Sequence, residues 1–225
     1  MPSKRHRLLP QPPSPRVPPE DLVERRNWEQ DKYRRVYGEF PQYGTGLARL
    51  TRFVNWAKGR GIRSLLDIGA GRGEILNAAA REPLRILATK GYEVVESLCG
   101  MDVADPSDIE RGYHKVEHFP GMHAIPEEDN SWDWVSCCDV LEHVQEEDAR
   151  AGLREMIRVA QTGLYLTISW AEDAWGRNLG PGEILHINRK PGDWWIDELE
   201  VMDIDSINIL RSSPGALEID LEILL

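Results

Sequence analysis

Apolar positions recur along this chain at two spacings, one helical and one of short, mostly apolar runs. From about Thr45 to Lys58, the residues Leu47, Leu50, Phe53, Val54 and Trp56 fall mainly at helical spacing, and Gly59 and Gly61 end the run. Gln145 to Val159 is amphipathic in the same way. Asp21 is placed to cap an earlier helix to about Val36, which Tyr37-Gly38-Glu39-Phe40-Pro41 breaks. Another helix is predicted from Gly73 to about Lys90, stopping at Gly91, with Pro83 kinking or dividing it. Short apolar runs read as buried strands: Ser64 to Ile68, Trp134 to Cys138, and Leu164 to Ser169 after Gly163. For the second strand two segments qualify, Val94 to Glu96 and Leu98 to Val103. Residues 170–192 are irregular, and Trp194 to Leu199 begins or forms a helix. Val201 to Leu210 and Ala216 to Leu224 then read as two strands joined by Ser212-Ser213-Pro214-Gly215.

Length and composition narrow the picture. With 225 residues the chain holds one sizeable α/β core and little more. Charged residues make up 29% of it, and no apolar run approaches the ~20 residues that cross a bilayer, so the expectation is a soluble protein without a membrane segment. Prolines follow the basic N-terminus where a signal peptide has its apolar stretch, which makes a cytoplasmic location the default. The three cysteines, Cys99, Cys137 and Cys138, offer neither a disulfide framework nor metal-ligand spacing. Cys137 and Cys138 alternate sides of a strand, as small apolar fillers. A net charge of −11 argues against a large nucleic-acid footprint. Residues 1–19, basic at Lys4, Arg5 and Arg7 and rich in proline, read as a disordered tail, with a docking peptide as the other reading. Residues 20–225 form one domain, with N-terminal helices over 20–60 and a sheet core over 61–225.

The chemistry starts at Ser64-Leu65-Leu66-Asp67-Ile68-Gly69-Ala70-Gly71-Arg72-Gly73-Glu74. This is a strand, a glycine-rich turn and the start of a helix, with Asp67 at the carboxyl end of the strand, where open α/β sheets bind ligands. Dinucleotide sites space their glycines G-x-G-x-x-G, whereas these run G-x-G-x-G. That pattern, preceded by the acid, resembles motif I of the class I S-adenosylmethionine-dependent methyltransferases. A second block, Ile125-Pro126 through Trp132-Asp133-Trp134-Val135 to Leu141-Glu142-His143-Val144, resembles the hallmark of the small-molecule, methyltransferase type 11-like branch, with Trp132 where Phe is usual. The resemblance covers roughly residues 60–170. It implies a Rossmann-like, doubly wound, mostly parallel α/β sheet with a C-terminal antiparallel strand pair. It also implies S-adenosyl-L-methionine as cofactor and a small-molecule acceptor, such as a sugar or natural-product intermediate.

The same resemblance places Asp67, Gly69 and Gly71 around the methionine end and ribose of the cofactor. The carboxylate for the ribose hydroxyls is Asp102, in Gly100-Met101-Asp102, or else Glu96; an ionised acid suits a diol because it only accepts. The acid usual on the adenine side falls near Gly121 and is missing, so Met122 and His123, with Ile125, take its place. Asp139 and His143 lie just past the fourth strand, facing the methyl-transfer centre, and Asp139 is counted with the cofactor contacts as well. His186 is the leading base, because it falls in the stretch where the family varies for substrate. Around it in sequence stand Trp170, Trp175, Trp194 and Trp195, as substrate walls or as anchors of the last helix. Trp28 and Tyr43 are candidates for an N-terminal lid. No spacing demands a metal, although Asp129, Asn130 and Asp139 are at hand. Two other readings stand beside the enzyme: a non-catalytic binding protein with the same fold, and a nicotinamide-dependent oxidoreductase, which the glycine spacing disfavours.

Overall fold

The buried runs become the middle of one sheet. The computed structural model describes residues 20–40, 42–44, 46–80, 97–104, 115–172, 175–179, 183–212 and 217–225. Its strands are β1 (Ser64–Ile68), β2 (Ser97–Asp102), β3 (Lys115–His118), β4 (Trp132–Cys138), β5 (Ala160–Ser169), β6 (Ser206–Arg211) and β7 (Glu218–Leu224). They lie in the order β3-β2-β1-β4-β5-β7-β6. The first five are parallel, and β7 and β6 close the sheet antiparallel. The order reverses between β1 and β4, which opens a crevice beyond the carboxyl ends of these strands.

The helices are α1 (Leu22–Glu39), α2 (Leu47–Ala57), α3 (Glu74–Ala80), α4 (Glu146–Val159), the single turn α5 (Gly176–Leu179) and α6 (Gly192–Glu200). Alternation along the strands sorts the core into two layers. On one face Leu66, Ile68, Val135, Cys137, Leu164 and Leu166 meet Leu153 and Met156 of α4 and Trp195 and Leu199 of α6. On the other, Leu65, Trp134, Cys138 and Tyr165 meet Phe53 and Trp56 of α2 and Ile75 and Leu76 of α3. The adjacent cysteines fill opposite layers as free, buried thiols.

Three arginines, two on α2 and one just after it, fix its register against β7. Arg52 Nε lies 2.6 Å from Asp220, Arg60 Nε 2.7 Å from Glu222, and Arg49 3.2 Å from Glu218. Asp21 caps α1 by accepting from the N–H groups of Val23 and Glu24, both at 3.0 Å.

Several boundaries differ from the sequence reading. Helix α1 continues to Glu39, because Val36 and Tyr37 are buried and hold its last turn. Strand β5 starts at Ala160, whose pairing with Trp132 extends the ladder past the exposed Gln161 and Thr162. Residues 201–205 are not strand: they finish the end of α6, where Met202 N–H donates to Leu199 O at 2.9 Å, and pairing with β7 begins at Ser206. Strand β3 was not foreseen. Among the described residues no helix is long and apolar enough to cross a membrane. The tail 1–19, the segment 81–96 with Pro83 and Glu96, and the turn at 213–216 lie outside the described residues.

Candidate functional site

Beyond β1 the chain turns through Gly69, Gly71 and Gly73, all in the left-handed region at φ 71°, 52° and 76°. A Cβ on Gly69 would collide with the Val140 side chain, and one on Gly71 would stand 3.0 Å from the Tyr37 hydroxyl. The loop is tied to β2 by Gly69 N–H and Ala70 N–H, which donate to Met101 O at 2.7 and 3.0 Å. Asp102, the last residue of β2, completes the tie. Its Oδ2 accepts from Gly71 N–H at 2.8 Å and from the Tyr37 hydroxyl at 3.4 Å, and its Oδ1 accepts from Ala104 N–H at 2.8 Å. Burial raises the Asp102 pKa, opposed by those N–H groups.

Asp67 has a different setting. It is buried at 2% exposure beneath the loop, accepts from the Ser136 hydroxyl at 2.6 Å, and is not among the residues lining the cavity described next. Desolvation pushes its pKa up to about 7.

A cavity of about 430 Å³ runs over the carboxyl ends of β1, β2 and β4. Gly69, Gly71, Asp102, Phe119 and Met122 line one end, and Asp139, Glu142, His143 and His186 the other. Helix α1 and the turn after it supply Tyr33, Tyr37 and Tyr43 to its wall, with Trp175 beside them. Tyr43 meets Trp175 edge-on at 6.1 Å and Tyr37 at 6.0 Å, and Phe40 meets Trp175 at 6.0 Å. Helix α1 is held over the cavity by charge. Arg26 bonds Asp148 of α4 at 2.5 Å, and Arg35 bonds Glu183 at 3.0 Å. Lys32, fully buried, pairs with Glu29 and donates to Ile184 O at 3.2 Å, with its ammonium 5.0 Å from the Trp28 ring centroid.

At the end of β4 the backbone turns through Asp139, a non-glycine residue at φ 57°. Aspartate tolerates this conformation better than most side chains, and such strain gathers at functional sites. Its carboxylate pairs with Arg49, and its N–H donates to Thr167 O at 2.9 Å. Burial raises the Asp139 pKa, opposed by Arg49. A turn of 3₁₀ helix, Leu141–His143, follows. Glu142 is completely buried, and its Oε1 accepts from Ser169 N–H at 3.0 Å. Burial, then the Asp139 charge, holds the Glu142 carboxyl well above the usual range. His143 Nδ1 lies 3.1 Å from Leu185 O, and His186 Nδ1 lies 2.9 Å from Ala171 O. A carbonyl only accepts, so in each neutral ring the proton sits on Nδ1 and the lone pair on Nε2. The two rings meet edge to face with centroids 4.6 Å apart. Burial, then the neighbouring His186 and Lys32, lowers the His143 pKa well below its ordinary value.

The fold therefore gathers Gly69, Gly71, Asp102, Met122, Asp139, His143 and His186 on one cavity. The aromatic residues expected around His186 separate. Trp175 lines the cavity, whereas Trp195 is wholly buried in the core, donates to Lys190 O at 3.1 Å, and anchors α6 with Trp194 packed on it. Trp28 carries Lys32 and does not line the cavity. His123 lies outside that lining, 3.9 Å from Asp148. Sequence reasoning missed Tyr33, Arg49, Phe119 and Glu142. For Glu142 a signal existed, an acid between Asp139 and His143.

Residues 2–204 match the family model of a methyltransferase domain. The chain belongs to this family. In fold and domain it is a class I S-adenosylmethionine-dependent methyltransferase. Solved structures agree on the fold. A SAM-dependent methyltransferase from Archaeoglobus fulgidus is 18% identical, with a TM-score of 0.52 over 79% of this chain and 92% of its own. The magnesium protoporphyrin IX methyltransferase of Synechocystis, solved with bound SAM, is 16% identical, with a TM-score of 0.52 over 88% and 94%. The YcgJ protein of Bacillus subtilis is 13% identical, with a TM-score of 0.53 over 80% and 96%. A search of curated proteins gave no match. The cofactor of the methyltransferase is S-adenosyl-L-methionine.

Proposed function

We propose that this methyltransferase methylates a hydroxyl of a small molecule, of the sugar or natural-product class, bound between the end of β4 and the segment carrying Trp175 and His186. One observation carries the reading. The cavity that begins at the glycine loop and Asp102 continues without a break to the two histidines, and its volume of about 430 Å³ is in the range of small-ligand sites.

The cavity walls fit the cofactor. Gly69 and Gly71 leave no Cβ between backbone and ligand, and Asp102 is an acceptor-only group for two ribose hydroxyls. Phe119 and Met122 offer an apolar wall to the adenine in place of an acid. Asp67, held by the Ser136 hydroxyl beneath the loop, supports the loop from below without lining the cavity. When bound, the cofactor supplies a methyl group on a positively charged sulfur. The protein's part is to align the acceptor oxygen with that carbon and to exclude water, which the tyrosines of α1 and its following turn do by closing the cavity. The His186 Nε2 lone pair takes the hydroxyl proton. His143, locked against Leu185 O and by the edge of Tyr33 at 5.8 Å, holds His186 in place. Asp139, paired with Arg49, fixes the wall between the two halves.

Three buried free thiols favour a reducing, cytoplasmic location. A net charge of −11 favours a small acceptor over nucleic acid. The test is calorimetry with S-adenosylmethionine, its demethylated product and NAD, followed by transfer of labelled methyl into a metabolite extract. Label in a small hydroxyl compound is the expected result. Label only in macromolecules would overturn the acceptor class.

A further inference from the structure

The acceptor end of the cavity holds a donor set that the proton-transfer role does not use up. Glu142 Oε1 is occupied by Ser169 N–H, but Glu142 Oε2 is buried and has no hydrogen-bond partner among the described residues. A buried carboxylate oxygen is rarely left without a donor, and one on a cavity wall points to a missing positive partner. Two imidazoles stand beside it. Ligand atoms of Glu142, His143 and His186 all lie within 4.8 Å of one another, and all three residues line the cavity.

The backbone around the two rings holds them as metal-binding histidines are held. Each ring is held by an Nδ1–H bond to a backbone carbonyl, Leu185 O for His143 and Ala171 O for His186, which fixes the tautomer and presents Nε2 as the ligand. Glu142 is braced as well, because its own carbonyl accepts from Asn188 N–H at 3.0 Å, two residues beyond His186. The loop that bears His186 is thus latched to the turn that bears Glu142 and His143.

We infer that Glu142, His143 and His186 form a site for one divalent transition-metal cation at the acceptor end of the cavity. Two nitrogens and one carboxylate oxygen suit Mn²⁺, Fe²⁺, Co²⁺ or Zn²⁺ better than Mg²⁺ or Ca²⁺, which take oxygen ligands. Three protein ligands leave coordination positions open to the cavity. A hydroxyl bound there loses its proton more readily, and the cation orients it. This role rests on the methyl-transfer reading; the cation site itself does not. In transfer, the acceptor oxygen forms the bond to the methyl carbon, the carbon–sulfur bond breaks, sulfur keeps that electron pair, and the hydroxyl proton leaves to solvent. His186 then serves as ligand and no longer as base.

The test uses the full chain, stripped with a chelator and titrated with Mn²⁺, following the free-ion signal by electron paramagnetic resonance. One equivalent bound per chain is expected. Glu142→Gln and His186→Ala should each weaken binding at least about tenfold, because even outer partners of metal ligands command tenfold or more. Co²⁺ in the wild type should show visible bands that both variants lose. His118→Ala, on β3 and outside the cluster, should bind as the wild type does. No Mn²⁺ or Co²⁺ bound by the wild type, or binding in both cluster variants as tight as in the wild type, overturns the site. Calorimetry with S-adenosylmethionine on the same samples separates the claims: a chain that binds cofactor without cation loses this site and keeps the methyltransferase reading, and a chain that binds cation without cofactor does the reverse.

Discussion

The carboxylate of Asp102 accepts a hydrogen bond from the backbone N–H of Gly71 at 2.8 Å, joining the end of β2 to the glycine loop that follows β1. The acid is therefore a brace for the loop, and in the proposed site it is the ribose acceptor as well. Asp102→Ala should weaken S-adenosylmethionine binding by roughly 10- to 100-fold, the worth of charge-assisted hydrogen bonds at ~1.5–3 kcal/mol. It should also lower thermal stability, because the N–H groups of Gly71 and Ala104 lose their acceptor. Calorimetry and melting curves on one sample check both. Unchanged affinity would move the ribose contact to another acid, with Glu96 next in line.

Gly71→Val tests the loop from the other side. Gly71 has φ 52°, and its added Cβ would meet the Tyr37 hydroxyl at 3.0 Å, so the substitution strains the backbone and pushes into the cavity wall. Cofactor binding should fall below detection by calorimetry while circular dichroism still reports a folded sheet. Wild-type binding by a folded variant would place the cofactor elsewhere.

Asp67 gives a pH-dependent prediction. Its pKa is pushed up to about 7 by burial, so the folded protein keeps this proton over a range where the unfolded chain, at about 3.9, has released it. The folded state binds more protons there, and its contribution to stability falls as pH rises from about 4 to about 7, then levels. Asp67→Asn removes that loss and leaves an acceptor for Ser136. The variant should gain on the wild type with rising pH, by up to ~4 kcal/mol above pH 7 if the full shift is expressed. Urea denaturation at about pH 4.5 and about pH 8 measures it. A constant difference between the two pH values would show that Asp67 does not carry the proton.

Helix α1 should undock when its buried charge is removed. Lys32→Met leaves Glu29, itself pushed toward protonation by burial, without its cation, and frees the tie to Ile184 O. Breaking a buried pair in this way costs ~3–5 kcal/mol. The exposed pair Arg34–Asp31 is the contrast, and Arg34→Ala should cost ~0.5 kcal/mol or less. Hydrogen exchange over Leu22–Glu39 should quicken in Lys32→Met alone. Equal protection in both variants would show that packing, not charge, holds the helix.

Much of this fold is legible in local sequence, because burial on both faces writes a strand as an unbroken apolar run. Leu65 to Ile68 and Trp134 to Cys138 are close to such runs, each broken by one polar residue, Asp67 and Ser136, which bond each other, and Leu47 to Trp56 shows its buried face at helical spacing. β3 is hidden because it is a four-residue edge strand with one buried side chain, Val116, among charged neighbours. The glycine loop and Asp102 are legible because they depend on adjacent positions. The acceptor end is not. Glu142 gains its meaning from Ser169 and Asn188, and His186 from Ala171 and the His143 ring, contacts that only the folded chain creates. Trp194 and Trp195 mislead for the same reason: sequence places them near His186, and helix α6 turns Trp195 into the core.

The histidine pair separates roles by burial. His143 is 6% exposed, bonded to Leu185 O and met edge-on by Tyr33, while His186 is only half-buried on the cavity wall. His186→Ala should lower single-turnover methylation by about 10²- to 10⁴-fold, whether the ring takes the hydroxyl proton itself or holds the cation that acidifies the hydroxyl, and leave S-adenosylmethionine affinity near wild type. His143→Ala empties a buried ring site and frees Leu185 O, so it should lower melting temperature as well as turnover. Paired calorimetry, melting and single-turnover assays distinguish the two patterns. A specific loss of turnover in His143→Ala, with unchanged turnover in His186→Ala, would give His143 the reacting role. Unchanged turnover in both would mean that the acceptor arrives ionised, and that this end of the cavity only orients it.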